Sequence, residues 1–149
     1  MRTEKGTVEF TNMVMVEDKE TGKVLVQERT KSWTGISFPG GHVEQFESIT
    51  DSARREVKEE TGLDVTFVTG FRAEDEHNLA REGRPHTIKQ TVYFLAEYRN
   101  QNFVPQESEI SKIELLDFES AMAALQFDSF KHILAQAHSF LTQNESIRS

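Results

Sequence analysis

The segment GHVEQFESITDSARREVKEETGL, residues Gly41–Leu63, decides the fold and carries most of the functional information in this 149-residue chain. Within it, the spacing of apolar residues predicts a helix over Ser48–Thr61. Gly62 follows in the position where a left-handed residue ends a helix at little cost. The preceding stretch, Trp33–Gly41, contains three glycines and a proline and is predicted to be a loop. A glycine-rich loop therefore leads into a single helix.

Three glutamates of this helix lie on or beside its apolar stripe. At about 100° per residue, Glu60 falls in the same sector as Glu56, and Glu59 lies on the flank of that sector. Carboxylates at positions i, i+3 and i+4 repel one another, and a place at the edge of a core adds a desolvation cost. A divalent cation removes the conflict because Mg²⁺ prefers hard oxygen ligands, and the spacing presents all three groups toward one point. The alternative is a solvated rim of helix-favouring glutamates, screened by Arg54, Arg55 and Lys58.

The complete segment resembles the Nudix box, GX5EX7REUXEEXGU, where U is a bulky aliphatic residue. All the fixed positions match, and they are Gly41, Glu47, Arg55, Glu56, Val57, Glu59, Glu60, Gly62 and Leu63. The resemblance implies an α/β fold of the Nudix type, an α/β/α sandwich. Its mixed sheet would have the box helix on one face and a C-terminal helix on the other. The implied activity is Mg²⁺-dependent hydrolysis of a phosphoanhydride bond in a nucleoside polyphosphate.

The same resemblance implies roles for individual residues of the segment. Metal binding, with Mn²⁺ as a possible substitute for Mg²⁺, would fall to Glu56, Glu59, Glu60 and the carbonyl of Gly40. Support of the loop against the helix would come from Gly41, Glu47, Arg55 and Gly62, with Glu47 and Arg55 forming an ion pair. A solvated ion pair of little energetic weight is the alternative for these two side chains.

A carboxylate must also take a proton from the attacking water, and the sequence offers candidates in two places. Glu59 is the candidate on the helix. The loop Val104–Ser111 offers Glu107 and Glu109, of which Glu109 is favoured by its spacing to the following strand. For either loop glutamate, a plain solvated residue is the alternative.

Two substrate classes are suggested by segments outside the box. The run VLVQER…WTGISFPGGHVE resembles MutT-type nucleoside triphosphate pyrophosphohydrolases, including those that clear 8-oxo-dGTP, and this is the preferred interpretation. In it, Arg29 contacts phosphate, Phe38 lies near the nucleoside and Asp128 reads a base edge. The alternatives for these three residues are a surface arginine, a core phenylalanine and a helix N-cap.

The second half of the chain, Gly70–Leu141, instead resembles asymmetric diadenosine tetraphosphate hydrolases. Such enzymes usually place a base-stacking tyrosine in the loop after the box. No tyrosine occurs between Leu63 and Gln90, and His77 stands near the expected position.

Outside the box, strand-like and helical patterns occur in both halves of the chain. The predicted strands are Thr7–Glu17, Lys23–Arg29, Asp64–Arg72, Thr87–Arg99 and Lys112–Leu116, and the predicted helices are Phe118–Leu125 and Phe127–Thr142. The charged stretch Ala73–His86 is predicted to be irregular, either guiding a polyphosphate or forming an exposed loop. Strands in both halves with helices between and after them predict a mixed sheet covered by helices. No linker divides the chain, so we expect one domain over residues 1–149.

Composition limits the possible partners. The formal net charge is −8 and no basic patch is present, so long nucleic acid is an unlikely partner, whereas a small nucleotide with divalent cations is compatible. The chain has no cysteine, no signal peptide and no apolar run near the ~20 residues that span a membrane, which predicts a cytoplasmic protein without a membrane partner. A homodimer is compatible with the family resemblance. Two other functions stay open: a non-catalytic nucleotide-binding Nudix module and an RNA 5′-pyrophosphohydrolase.

Overall fold

The computed structural model describes residues 6–30, 35–105 and 110–148. Its strands are β1 (Thr7–Asp18), β2 (Val24–Arg29), β3 (Gly35–Ser37), β4 (Gly40–His42), β5 (Thr66–Asn78), β6 (Thr87–Tyr98) and β7 (Ile110–Leu116). Its helices are α1 (Ile49–Thr61), α2 (Phe118–Ala124) and α3 (Asp128–Arg148), with a short 3₁₀ helix at Leu79–Glu82. In the described part of the chain, no helix is both long and apolar enough to cross a membrane.

The strands form one mixed sheet in the order β3-β2-β1-β6-β5, with β4 also paired to β1 and β7 to β2. The central pair, β1 and β6, is parallel and in register from Thr7 opposite Thr87 to Asp18 opposite Tyr98. The other strand pairs are antiparallel. The predicted mixed sheet is therefore confirmed.

Each face of the sheet carries its own hydrophobic core. Successive residues of a strand point to opposite faces, so Val14 and Val16 of β1 pack toward α1, whereas Met15 packs toward α3. The core under α1 includes Ala53 and Val57 of that helix. The core on the other face includes Phe38, Tyr93, Phe130, Ile133, Leu134 and Ala137. This arrangement confirms the predicted sandwich, with the box helix on one face and the C-terminal helix on the other.

Regular structure extends further than the sequence pattern indicated. The stretch Ala73–His86 was predicted to be irregular, but β5 continues into it as far as Asn78, which pairs with Ile88 of β6. Backbone pairing with β6 holds these charged residues in a strand, although their sequence lacks the alternating apolar pattern of a strand. The predicted loop at 33–41 likewise contains β3 and the start of β4, because β3 pairs with the preceding strand β2 and β4 pairs with the more distant β1. Trp33 lies outside the described residues.

Both ends of α1 have well-defined caps. The Ser48 hydroxyl accepts a hydrogen bond from the backbone N–H of Asp51 (3.0 Å), and Gly62 ends the helix with φ 81°. A Cβ atom at Gly62 would lie 2.6 Å from the backbone N and O of Val104. Gly62 is therefore required both by its left-handed conformation and by the close approach of the 104 backbone.

The two requirements at Gly62 can be separated by comparison with Gly22, which has φ 74° but no atom within 4 Å of an added Cβ. We expect Gly22→Ala to lower the free energy of unfolding by about 1 kcal/mol, the conformational cost alone. Gly62→Ala should cost at least about 1 kcal/mol more, because it also overpacks against backbone. Urea unfolding of the two variants measures the difference. Equal losses would show that the contact with Val104 does not constrain this position.

Candidate active site

A buried carboxylate joins α1 to two strands. Glu60 is 1% exposed. Its Oε1 atom accepts hydrogen bonds from Gln27 Nε2 (2.7 Å) and Arg29 Nη2 (2.6 Å), and its Oε2 atom accepts one from the backbone N–H of Gly40 (3.0 Å). The two-residue period of β2 turns Gln27 and Arg29 to the same face of the sheet, toward α1. The helix, β2 and β4 thus meet at one charged group.

Burial dominates the electrostatics of Glu60. Desolvation is the largest cause that raises the pKa of its carboxyl from 4.5 to about 8, and the nearby charge of Glu56 acts in the same direction. The hydrogen bond from Gln27, the charge of Arg29 and the hydrogen bond from Gly40 act in the opposite direction. The carboxylate form therefore depends on cationic and N–H donors at this position.

Glu56 lies against the glycine pair that precedes the helix. A Cβ atom at Gly41 would lie 2.7 Å from both the carboxyl carbon and the Oε1 atom of Glu56. A Cβ at Gly40 would collide with the carbonyl oxygen of Asn12 on β1. These glycines allow the helix carboxylate and β1 to approach β4 closely, which explains in packing terms why the segment has glycine at both positions.

Arg55 connects the other acidic side chains of the segment. Its guanidinium donates to both carboxylate oxygens of Glu47 (2.7 and 3.1 Å), so the structure contains the predicted ion pair in bidentate form. Its Nη1 atom also donates to Glu56 (3.0 Å) and Glu59 (3.2 Å). Hydrogen bonding to Arg55 lowers the pKa of Glu47, and hydrogen bonding to Glu47 raises the pKa of Arg55.

The spacing of the three helix glutamates suggested that they face one point, but in the structure they do not. Glu56 and Glu59 meet at Arg55, whereas Glu60 turns to the donors of β2. The adjacent residues Glu59 and Glu60 diverge by about 100°, whereas Glu56 lies near enough to Glu60 for its charge to act on the pKa of Glu60. Accordingly, across the described ranges, no three histidine or acidic side chains stand close enough together to hold a metal ion.

The donor set nevertheless suits a divalent cation. The Nη2 atom of Arg29 lies 2.6 Å from Glu60 Oε1 and 3.2 Å from the carbonyl oxygen of Gly40. Two oxygens predicted as metal ligands therefore already converge on one cationic group. Both are hard oxygen ligands, and Glu56 adds a second carboxylate nearby.

Sequence reasoning missed Gln27. The side chain is 1% exposed and bonded to Glu60, and its Oε1 atom has no hydrogen-bond partner within the described structure. A polar residue at an inward position of the apolar strand VLVQER was the available signal. Asn12 is a second example, because its buried amide donates to the hydroxyl of Ser52 on α1 (2.8 Å).

The predicted substrate-binding residues occupy different environments. Arg29 contacts the site oxygens described above, whereas Phe38 is fully buried in the core with its ring centroid 6.0 Å from that of Phe130. Phe38 therefore occupies the core position that was its alternative. His77 is about half exposed on β5, with Nε2 3.7 Å from Asp75 Oδ1.

Asp128 is exposed and is the first residue of α3. The backbone carbonyl of Phe127 accepts hydrogen bonds from the N–H groups of Phe130 and Lys131, so Phe127 rather than Asp128 holds the cap position. Glu107 and Glu109 lie outside the described residues.

The family, sequence and structure similarities of the chain agree with the fold and the site described above. Residues 10–137 match the NUDIX domain family. The chain is 35% identical to the mouse bis(5′-nucleosyl)-tetraphosphatase [asymmetrical] over 107 residues, which is 69% of each chain. It superposes on a C. elegans Ap4A hydrolase with a TM-score of 0.76 at 20% identity, covering 89% of this chain and 98% of the other. A MutT protein from Methanosarcina mazei gives a TM-score of 0.68 at 15% identity, covering 90% and 95%.

The chain belongs to the Nudix hydrolase family, whose members act on nucleoside polyphosphates. Enzymes of this family generally use a divalent metal such as Mg²⁺. The two structural likenesses establish the fold, and the resemblance inferred from the box is confirmed.

The environment of Glu60 predicts an unusual pH dependence of stability. Because its pKa is raised to about 8, the folded protein keeps a proton that the unfolded chain loses near 4.5. The native state then binds more protons than the unfolded state between these values, so the free energy of unfolding falls as pH rises through this window. We expect Glu60→Gln to remove most of this slope in urea unfolding with EDTA.

Glu47→Gln is the matched control for this measurement. The pKa of Glu47 is lowered, so its contribution to stability is lost only as pH falls below the ordinary glutamate range. Its removal should therefore leave the slope between pH 4.5 and 8 unchanged. A slope that is the same in the wild-type protein and in Glu60→Gln would contradict the assignment of the raised pKa to Glu60.

Proposed function

We propose that this Nudix hydrolase cleaves dinucleoside polyphosphates asymmetrically, releasing a nucleoside triphosphate and a nucleoside monophosphate from a tetraphosphate. The observation that carries the reaction class is the meeting of Glu60, Gly40 and Glu56 between α1 and β4. The substrate class is supported by the 35% identity to the mouse asymmetrical tetraphosphatase. This choice replaces the MutT-like triphosphate favoured by the sequence pattern, because the buried position of Phe38 offers no surface for a nucleoside.

Metal binding is assigned to Glu56, Glu59, Glu60 and the Gly40 carbonyl, with Mg²⁺ as the ion and Mn²⁺ as a substitute. These ligands form two groups, Glu56 with Glu59 beside Arg55 and Glu60 with Gly40, rather than one cluster of three carboxylates. When bound, a divalent cation would neutralise charge on the phosphate oxygens and lower the pKa of an attacking water. The chain supplies the rigid frame for these ligands. Arg55 holds Glu56 and Glu59 in place, while Gln27 and the backbone N–H of Gly40 hold Glu60.

The attack breaks one phosphoanhydride bond in line with the incoming water, whose proton passes to a carboxylate. Two glutamates are proposed for this role, Glu59 on α1 and Glu109, which directly precedes β7 in the sequence. Glu59 is bonded to Arg55 and its side chain is 34% exposed, so one side of its carboxylate faces solvent. A proton taken there can leave directly to water.

Base recognition is assigned to two exposed residues outside the box. His77 offers an aromatic ring on β5, and Asp128 offers a hydrogen-bond acceptor at the start of α3. An imidazole stacks on a nucleobase less extensively than a phenol ring of comparable placement, since its aromatic surface is smaller. His77 would thus contribute to binding without dominating it.

A substrate panel tests the proposal directly. Dinucleoside tetraphosphates, dGTP, 8-oxo-dGTP, ADP-ribose and 5′-triphosphate RNA are incubated with the enzyme and Mg²⁺, and the products are separated by chromatography. We expect the dinucleoside tetraphosphate to give the highest kcat/KM and equal amounts of triphosphate and monophosphate. Preferred turnover of 8-oxo-dGTP to monophosphate and pyrophosphate would establish the MutT-like activity instead. Absence of turnover for the whole panel would support a binding module.

Glu56→Gln tests the assignment of the carboxylate site. Removing one charge from the ligand set should reduce kcat by at least about 100-fold while leaving the fold intact, because glutamine keeps the shape of the side chain that packs against Gly41. Asp51→Asn is the matched control on the same helix, since Asp51 is an exposed carboxylate in the first turn. Full activity of Glu56→Gln would remove this residue from the metal site.

A further inference from the structure

The guanidinium of Arg29 occupies the position between two proposed metal ligands. Its Nη2 atom is within hydrogen-bond distance of Glu60 Oε1 (2.6 Å) and of the Gly40 carbonyl oxygen (3.2 Å). The side chain of Arg29 is 16% exposed, whereas that of Glu60 is 1% exposed. In its ionised form, the buried carboxylate of Glu60 is therefore neutralised by a cation of the chain itself.

Glu60 Oε1 has little capacity for a further partner in this arrangement. A carboxylate oxygen offers about two lone-pair sites, and Oε1 already accepts hydrogen bonds from Gln27 and Arg29. The other oxygen, Oε2, accepts the backbone N–H of Gly40. Binding of a divalent ion through Oε1 thus requires one of its two donors to leave.

Arg29 is the donor that can leave at the lower cost. Gln27 is neutral and fully buried, so moving its amide away would leave a polar group without a partner in the core. Arg29 is charged and reaches solvent, and its positive charge repels a divalent cation at the same oxygens. Both electrostatics and solvation therefore favour displacement of the guanidinium.

We propose that Arg29 is an exchangeable internal counterion, which holds Glu60 and Gly40 in the metal-free enzyme and is displaced by the divalent ion. This inference rests on the proposed function, because it takes Glu60 and Gly40 as ligands. Arg29 is a positioning residue in the metal-free state. Once displaced from Glu60, its guanidinium can pair with the phosphates of an anionic substrate.

Metal binding without nucleotide tests the exchange. Mn²⁺ affinity is measured by isothermal titration calorimetry at alkaline pH for the wild-type protein and for Arg29→Gln. We expect the variant to bind Mn²⁺ at least about tenfold more tightly, because the ion no longer competes with the guanidinium. By the same linkage, Arg29→Gln should lower the melting temperature more in EDTA than in saturating Mg²⁺.

Lys58→Gln is the matched control for the loss of positive charge. Lys58 belongs to the same helix as the glutamates, but its Nζ atom bonds to the Gly62 carbonyl and to Asp64. Removing this solvent-screened charge should change Mn²⁺ affinity by less than about twofold. A tenfold gain in Lys58→Gln as well would overturn the inference, since it would show a general effect of net charge.

A second measurement needs no variant. The side-chain ¹⁵N resonances of Arg29 in the wild-type protein report whether its guanidinium is hydrogen-bonded and slow to rotate. We expect slow rotation in EDTA and faster rotation with saturating Mg²⁺. Unchanged resonances would overturn the exchange, and so would equal or weaker Mn²⁺ binding by Arg29→Gln. In either case, a loss of activity in Glu56→Gln would still support the proposed function. Failure of the wild-type protein to bind Mn²⁺ would overturn both.

Discussion

The structure depends on placing one carboxylate, that of Glu60, inside the protein. An isolated buried charge costs several kcal/mol. The packing of α1 on the sheet therefore requires hydrogen-bond donors around this group. Those donors come from Gln27 and Arg29 on β2 and from the backbone of Gly40 on β4. The requirement fixes the position of the helix relative to two strands that lie some 20 to 30 residues away in sequence. A hydrophobic contact would allow small shifts here, whereas directed hydrogen bonds to one carboxylate restrict them.

The glycines of the segment follow from the same constraint. Bringing carboxylates of α1 close to β4 leaves no space for side chains on the strand, so Gly41 lies against Glu56 and Gly40 lies against the backbone of β1. At the far end, Gly62 turns the chain beside the backbone of Val104. Glycines often indicate a flexible segment, but these three glycines lie where the chain is most closely packed. Their small size serves the approach of backbone and carboxylate rather than motion.

Local features and those of the recognised motif could be predicted from the sequence, whereas individual contacts between distant residues could not. The extent of α1 to within one residue, its C-terminal glycine, the mixed sheet and the pairing of Glu47 with Arg55 were predicted, because each depends on neighbouring residues or on a recognised pattern. The extension of β5 through its charged half was missed, since its pairing with β6 is decided by backbone contacts and not by apolar residues. The direction of Glu60 was missed for a related reason. Helical spacing gives the face on which a side chain lies, but its partners on β2 become neighbours only when the sheet has formed.

The residues proposed for catalysis and those proposed for substrate specificity lie in different structural environments. The ligands proposed for the cation stand on α1 and β4, where buried hydrogen bonds and close contacts leave little room for change. His77 and Asp128, in contrast, are exposed at the edge strand β5 and at the start of α3, where substitutions disturb no core. A phosphoanhydride bond is the same in a nucleoside triphosphate and in a dinucleoside tetraphosphate, so one rigid site serves either. The proposed choice between them therefore rests on exposed side chains, and the substrate is argued from residues outside the box that identifies the reaction.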